Sequence, residues 1–235
     1  MPVPFLPPND DATPFPDVEQ ALPEPNGLLM AGGALSPARL INAYRSGIFP
    51  WFEEGEPILW WSPDPRCIIW PDQIRVSRSL GKTLRKGHLE IAHNTAFRTV
   101  MEACAEPRAR SSGTWITNSM VEAYQALHSL GIAKSLEVIC EGDVVGGLYG
   151  IEIGDVFVGE SMFSLVSDAS KVALVHLARD CGYRLIDCQL STPHLINMGA
   201  EEISRADYIA YLKRFGKLDS PPLTPSPEPR KIRLV

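Results

Sequence analysis

What the chain is short of narrows its class before any motif is read. Among its 235 residues are five cysteines, Cys67, Cys104, Cys140, Cys181 and Cys188, odd in number, scattered and without a CxxC spacing. That argues against a structural zinc site or a disulfide framework, so the expectation is a reduced, cytoplasmic protein with no metal. No window approaches the roughly 20 apolar residues that a membrane span needs. The opening stretch is rich in proline and acid and lacks the basic start and unbroken apolar run of a signal peptide. Its first 30 residues hold five acids and no base.

Positive charge is scarce overall, with a formal net charge of −6, which at first discourages a nucleic-acid partner. The distribution reverses that reading. Residues 71–110 carry eight bases, among them Arg78, Lys82, Arg85 and Lys86, against four acids, so this window is +4 while the remainder is −10. One polyanion-facing surface fits such asymmetry, as does a merely solvated helix face.

The order of elements is legible between two proline-rich ends, 1–25 and 216–235, which are expected to be extended or mobile. Ser36 as cap, Pro37 at the first helical position and Gly47 as stop mark a short helix, followed by apolar runs around an "SPDP" turn. Together they suggest a small mixed N-terminal domain over 26–75. "VSRSLGKTLRKG" reads as a basic helix. From residue 88 the chain reads strand, two helices, a three-strand meander broken at "EGD" and "IGD", an amphipathic helix with Ser167 or Asp168 as cap, and the strand "YRLIDCQL". Gly146-Gly147 inside the meander suggests a bulge or a close backbone approach. The fold class is therefore α+β, a small N-terminal domain followed, over 76–215, by an acetyltransferase-like (GNAT-type) α/β domain. A glycine-rich turn that would hold a coenzyme A pyrophosphate is lacking: "FSLVSDASK" stands where it belongs. A coenzyme A-dependent N-acetyltransferase is thus the alternative reading, and a non-catalytic tRNA-binding module a third.

In "LIDCQ", Asp187 and Gln189 interrupt an apolar run two positions apart, and residues so spaced share a strand face. Unpaired burial would cost several kcal/mol, so the pair is expected to face solvent in a cleft. Taken in order, "FPWF", "WWSPDPR", "TWIT", "GGLYG", "GESMFS", "LIDCQ" and "HLINMGAEEISR" resemble the leucyl/phenylalanyl-tRNA–protein transferase family over roughly residues 27–212. The resemblance implies a cytoplasmic enzyme that moves Leu or Phe from its aminoacyl-tRNA to the N-terminal Arg or Lys of a protein, marking it for degradation, with neither metal, ATP nor other cofactor.

By the same resemblance, the Gln189 carbonyl oxygen accepts a hydrogen bond from the attacking amine, and Asp187 orients and polarises it. Glu160, shared with Asp187, recognises the basic acceptor N-terminus. Trp51, Trp115 and Tyr44 lie near the tRNA 3′ adenosine, where a flat ring can stack on a base. Leu148, Phe157 and Met162 line the pocket for the aminoacyl side chain. Independently of the resemblance, the helical spacing of Arg78, Lys82, Arg85 and Lys86 leads to the expectation that the basic helix meets phosphates of the acceptor arm. Ser161 and His194 have no third residue that would complete a nucleophile, base and orienter set.

Overall fold

The computed structural model describes residues 3–109, 115–216 and 232–233. Two sheets divide them. The small one is ordered β1-β2-β4-β3, from β1 (Phe5–Pro8), β2 (Leu28–Gly33), β3 (Phe49–Pro50) and β4 (Leu59–Trp61). Between β2 and β3 runs α1 (Pro37–Arg45), where the Ser36 hydroxyl accepts the Arg39 N–H and Pro37 fills the first turn as its fixed φ and missing N–H allow.

The larger sheet is mixed and ordered β11-β5-β10-β9-β8-β7-β6-β12. Its strands are β5 (Arg66–Ile69), β6 (Glu90–His93), β7 (Ala133–Cys140), β8 (Asp143–Ile153), β9 (Val156–Ser164), β10 (Leu185–Gln189), β11 (Glu201–Ile203) and β12 (Ile232–Arg233). Around it lie α2 (Arg78–Lys86), α3 (Phe97–Ala109), α4 (Asn118–Ser129), α5 (Ala169–Asp180), α6 (Pro193–Asn197) and α7 (Arg205–Phe215). The antiparallel meander β7-β8-β9, the helix α5 and a strand β10 running parallel to β9 stand in the expected order. Alternation along β9 shows how the core is split. Val156 and Val158 face a cluster shared with α3, α4 and the small sheet, while Phe157 faces a second cluster with α5.

Two features differ from the sequence reading. The leader is anchored, because β1 pairs in parallel with β2 and the Ser36 hydroxyl donates to the Asp11 carboxylate at 2.8 Å. The expected domain boundary at 75 does not coincide with the division between the sheets. The two runs around the "SPDP" turn do not pair with one another: β4 belongs to the small sheet, whereas β5 lies between β10 and β11 in the large one. Of the two cap candidates of α5, Asp168 holds the position, in the left-handed region at φ 67°, and its carboxylate is held by the Lys171 ammonium and the Thr83 hydroxyl rather than by a backbone N–H of the first turn. Residues 217–231, most of the proline-rich tail, lie outside the described residues.

The glycine pair in the meander is a site of close approach: a Cβ on Gly146 would stand 2.5 Å from the Ala169 Cβ, and one on Gly147 2.5 Å from the Leu136 carbonyl oxygen. Gly150 is tighter still, since its Cβ would meet the Val158 carbonyl oxygen at 2.2 Å and the Phe157 ring at 2.6 Å. Gly150→Ala is expected to destabilise the protein by roughly 2 kcal/mol or more, because neither a strand backbone nor a buried ring can give way cheaply. Urea denaturation followed by fluorescence checks this; an unchanged midpoint would mean that the strands separate easily there.

Candidate active site at the open end of β9 and β10

The site rests on an ion pair sealed from water. The Arg66 guanidinium donates Nε to Asp187 Oδ1 at 2.8 Å and Nη2 to Oδ2 at 2.6 Å, and its Nη1 reaches the Gly47 carbonyl oxygen at 3.2 Å. Tyr208 of α7 donates its hydroxyl to Asp187 Oδ2 at 2.8 Å, and the Gln189 backbone N–H reaches Oδ1 at 2.9 Å. The guanidinium lies 4.9 Å from the Phe49 ring centroid and 4.6 Å from that of Tyr208. Burial disfavours its charge, but the adjacent carboxylate outweighs this and holds its pKa above the usual range.

Asp187 is 0% exposed, so it does not face solvent in a cleft. Nor do Asp187 and Gln189 share a face, because the β10–β5 register shifts between them and Gln189 takes the left-handed conformation, φ 64°. The bulge leaves Asp187 in the interior and swings the Gln189 side chain across to β9. Asp187 touches Gln189 through the backbone amide rather than the carboxamide, and both its oxygens are engaged. It can position Gln189, but it is not available to a cationic acceptor.

The pairing of β9 with β10 ends at Val158 and Asp187, and beyond that point the carboxamide of Gln189 fills the gap. Its Nε2 donates to the Gly159 carbonyl oxygen at 3.3 Å and to Glu160 Oε1 at 3.0 Å. Only the NH2 end can satisfy two acceptors, so the amide orientation is fixed by its partners. A second bulge sets Glu160: Gly150 pairs with Gly159 and Tyr149 with Ser161, leaving Glu160 as the extra residue. The Tyr44 hydroxyl lies 2.7 Å from its Oε1 and the Tyr124 hydroxyl 3.2 Å from its Oε2, and the two phenol oxygens also meet; the two hydroxyl protons fill two of these three contacts, and the third is filled when the carboxyl itself carries a proton. Burial raises the Glu160 pKa to about 7, although the Tyr44, Tyr124 and Gln189 hydrogen bonds oppose the shift; the Asp187 charge adds to it.

Glu160 and Gln189 open onto a cavity of about 320 Å³ whose apolar wall includes Leu148, Phe157, Met162, Leu174 and Ile186. The three expected pocket residues therefore share one cavity with the two polar candidates. Tyr44 does not belong with the stacking aromatics, since its ring is buried edge-on against Tyr124 and its hydroxyl serves Glu160. Trp51, just after β3, is 44% exposed and lies edge-on to Trp61, whose indole N–H holds the Trp51 carbonyl. Trp115 is half-buried against the large core. Arg78, Lys82, Arg85 and Lys86 are all exposed along α2, on the side away from buried Leu80. At the start of α5 the Ser170 N–H is taken by the Ser164 hydroxyl and the Asp168 carboxylate stands beside it. A pyrophosphate would meet like charge there.

Arg66, Tyr124 and Tyr208 went unassigned in the sequence. Arg66 left one signal, a cation opening the apolar run "RCIIW", which needs a buried anion. The tyrosines left none, being indistinguishable from the apolar faces of α4 and α7.

A meander, helix and parallel strand, with an oriented amide and an acid above an apolar cavity where two strands diverge, define an acyltransferase of acetyltransferase-like fold. Within that class the chain belongs to the leucyl/phenylalanyl-tRNA–protein transferase family. The family model "Leucyl/phenylalanyl-tRNA protein transferase" matches residues 68–213, and that of its N-terminal domain residues 33–64. Leucyl/phenylalanyl-tRNA–protein transferases of Nitrosomonas eutropha and Pseudomonas putida are 58% and 54% identical to it, covering 89% and 90% of this chain and 90% and 94% of theirs. Among solved structures, a GCN5-related N-acetyltransferase from Kribbella flavida aligns at 11% identity with a TM-score of 0.36, over 72% of this chain and 61% of that one.

Two outcomes follow from the site's electrostatics. Asp187→Asn is expected to lower stability by roughly 3–5 kcal/mol, because it strands the buried Arg66 charge; a denaturation midpoint within error of the unaltered protein would show that Arg66 finds water. Glu160 binds its proton more tightly folded than unfolded, so its contribution to stability is full below about 4.5, the ordinary value, and is lost as pH rises through about 7. The stability difference between the native protein and Glu160→Gln should change across that window by on the order of 1–2 kcal/mol, allowing for screening at the cavity mouth, and be flat above it. Denaturation at a series of pH values reads it directly, and a difference independent of pH between 4 and 8 would refute the raised pKa.

Proposed function

We propose that the protein transfers Leu or Phe from aminoacyl-tRNA to the N-terminal Arg or Lys of an acceptor protein in the cytoplasm, marking that protein for degradation. The observation that carries this reading is the Gln189 carboxamide, pinned by its NH2 end to Glu160 and Gly159 at the mouth of an apolar cavity. With the nitrogen so engaged, the carbonyl oxygen is left to accept a hydrogen bond from an amine attacking beside it. The aminoacyl side chain enters the cavity, where size and shape are what apolar walls such as Leu148, Phe157 and Met162 can read. The attacking nitrogen forms the new amide bond as the ester C–O bond breaks, and the proton leaving the amine ends on the ribose oxygen of the departing tRNA. An ester is already activated, so positioning supplies much of the acceleration and the reading needs neither ATP nor metal.

Glu160, ionised, is the acid placed to pair with the acceptor's cationic end, with Tyr44 and Tyr124 holding it in place. Trp51 is the exposed ring on which the terminal adenine stacks, for about 1–3 kcal/mol. The α2 cations are placed to meet backbone phosphates without reading bases. Among the described residues no helix is long and apolar enough to cross a membrane. The occupied N-terminus of α5 disfavours a coenzyme A donor.

The direct test is transfer of radiolabelled leucine from charged tRNA to a peptide beginning with Arg, beside the same peptide beginning with Ala. Transfer to the Arg peptide alone is expected, with kcat in Gln189→Ala down about 10²-fold at little change in acceptor KM. No transfer, or equal transfer to both peptides, would refute the reading. Reversing charge at Lys82 and Arg85 together should raise the KM for tRNA and flatten its dependence on salt while leaving kcat nearly unchanged. An unaltered salt slope would remove α2 from the tRNA path.

A further inference from the structure

On the far side of the side-chain pocket, three potential metal ligands converge. His93, the last residue of β6, and His176, in the middle of α5, bring their Nε2 atoms to 3.0 Å with the rings near perpendicular at 76°. Cys181, just past the end of α5, completes a group whose ligand atoms all lie within 4.8 Å of one another. His176 is 1% exposed, and its other nitrogen, Nδ1, stands 2.9 Å from Asp180 Oδ2 without the geometry of a hydrogen bond.

We propose that His93, His176 and Cys181 form a binding site for a zinc-class divalent cation, with a fourth position open to water or a small anion. In a tetrahedral zinc site, ligand distances of about 2.0–2.3 Å place neighbouring donor atoms roughly 3.3–3.6 Å apart. The two imidazole nitrogens are nearly at that spacing already, and the thiol reaches it by a side-chain adjustment. Two imidazoles and a thiolate are the donor set that such an ion takes in preference to calcium or magnesium. The Asp180 carboxylate stands close enough to the second ring nitrogen of His176 to become the outer partner of a ligating histidine, once a small turn of either side chain gives the hydrogen bond its geometry. Room for a further ligand exists in an adjoining cavity of about 240 Å³, lined by His93 and Cys181 and floored by polar groups that include Lys134, Glu152 and Tyr183.

The site is separate from the proposed reaction centre but not isolated from it. Phe157 and Leu177 line both this cavity and the aminoacyl pocket. An ion here ties α5 to β6 and fixes the back of the wall against which Leu or Phe would rest.

The test uses the full-length, tag-free chain, stripped of metal with a chelator and dialysed. Titration with zinc(II) by calorimetry should show one ion bound per chain, and cobalt(II) in its place should give the absorption of a tetrahedral site with a thiolate charge-transfer band. Cys181→Ser should abolish that band, and His93→Gln and Cys181→Ser should each weaken zinc binding by about tenfold or more, while Cys140→Ser leaves both intact. Binding below stoichiometry, a cobalt spectrum of the unaltered protein without a thiolate band, or equal affinity in all three variants would overturn the proposal. Because the unaltered protein's spectrum alone can refute it, a variant that fails to fold does not protect it.

Discussion

The Arg66–Asp187 pair is the interaction on which the other parts of the molecule converge. It joins β5 to β10, reaches the loop after α1 through the Gly47 carbonyl, and takes the Tyr208 hydroxyl of α7. Burying two ions costs several kcal/mol each, repaid only when geometry is good and the remaining hydrogen-bonding capacity is met. Both conditions hold here: a bidentate fork, a phenol, a backbone N–H and two aromatic faces surround the charges. Such a pair is a poor source of net stability and a good source of uniqueness, because any slip of β5 against β10 would leave a charge unpaired in the core.

From that fixed point the proposed reaction centre is built by two irregularities in otherwise regular strands. The shift after Asp187 lets Gln189 turn away from its own strand, and the extra residue in β9 turns Glu160 toward α1 and α4. Each irregularity gives up a ladder position and gains a side-chain direction that period-two alternation forbids. The small sheet and α1 take part too, because Tyr44 holds Glu160 and Phe49 covers Arg66. The N-terminal segment is thus a structural component of the centre rather than an appendage to it.

The electrostatic character of the centre follows from which charge is compensated. Asp187 has a cation against it and stays in the interior. Glu160 has only neutral donors, so burial dominates and its pKa rises to about 7. A carboxyl poised there gains most from an arriving cation, whose charge would substitute for the missing counterion. The proposed preference for a basic acceptor rests on this physical basis, which a fully compensated carboxylate could not provide.

Much of the fold was legible in the sequence, because local rules governed it. Ser36 and Pro37 started a helix, "EGD" and "IGD" turned a meander, and apolar spacing set α4 and α5, each through interactions within a few residues. Leu148, Phe157 and Met162, named from the family resemblance, do line one cavity, but Phe157 and Met162 stand five positions apart on β9 and meet there only because of the extra residue at Glu160. The reading failed where strands were irregular or partners distant. A shared face for Asp187 and Gln189 follows from strand periodicity, and a single bulge cancels it. Pairing Asp187 with Arg66 across 121 positions, burying Tyr44 behind Glu160 and gathering His93, His176 and Cys181 from separate elements left no local trace. The sequence by itself determined the elements and the family; tertiary structure alone decided which charges are sealed and which groups meet, because burial and long-range contact are properties of the packed chain and not of any segment.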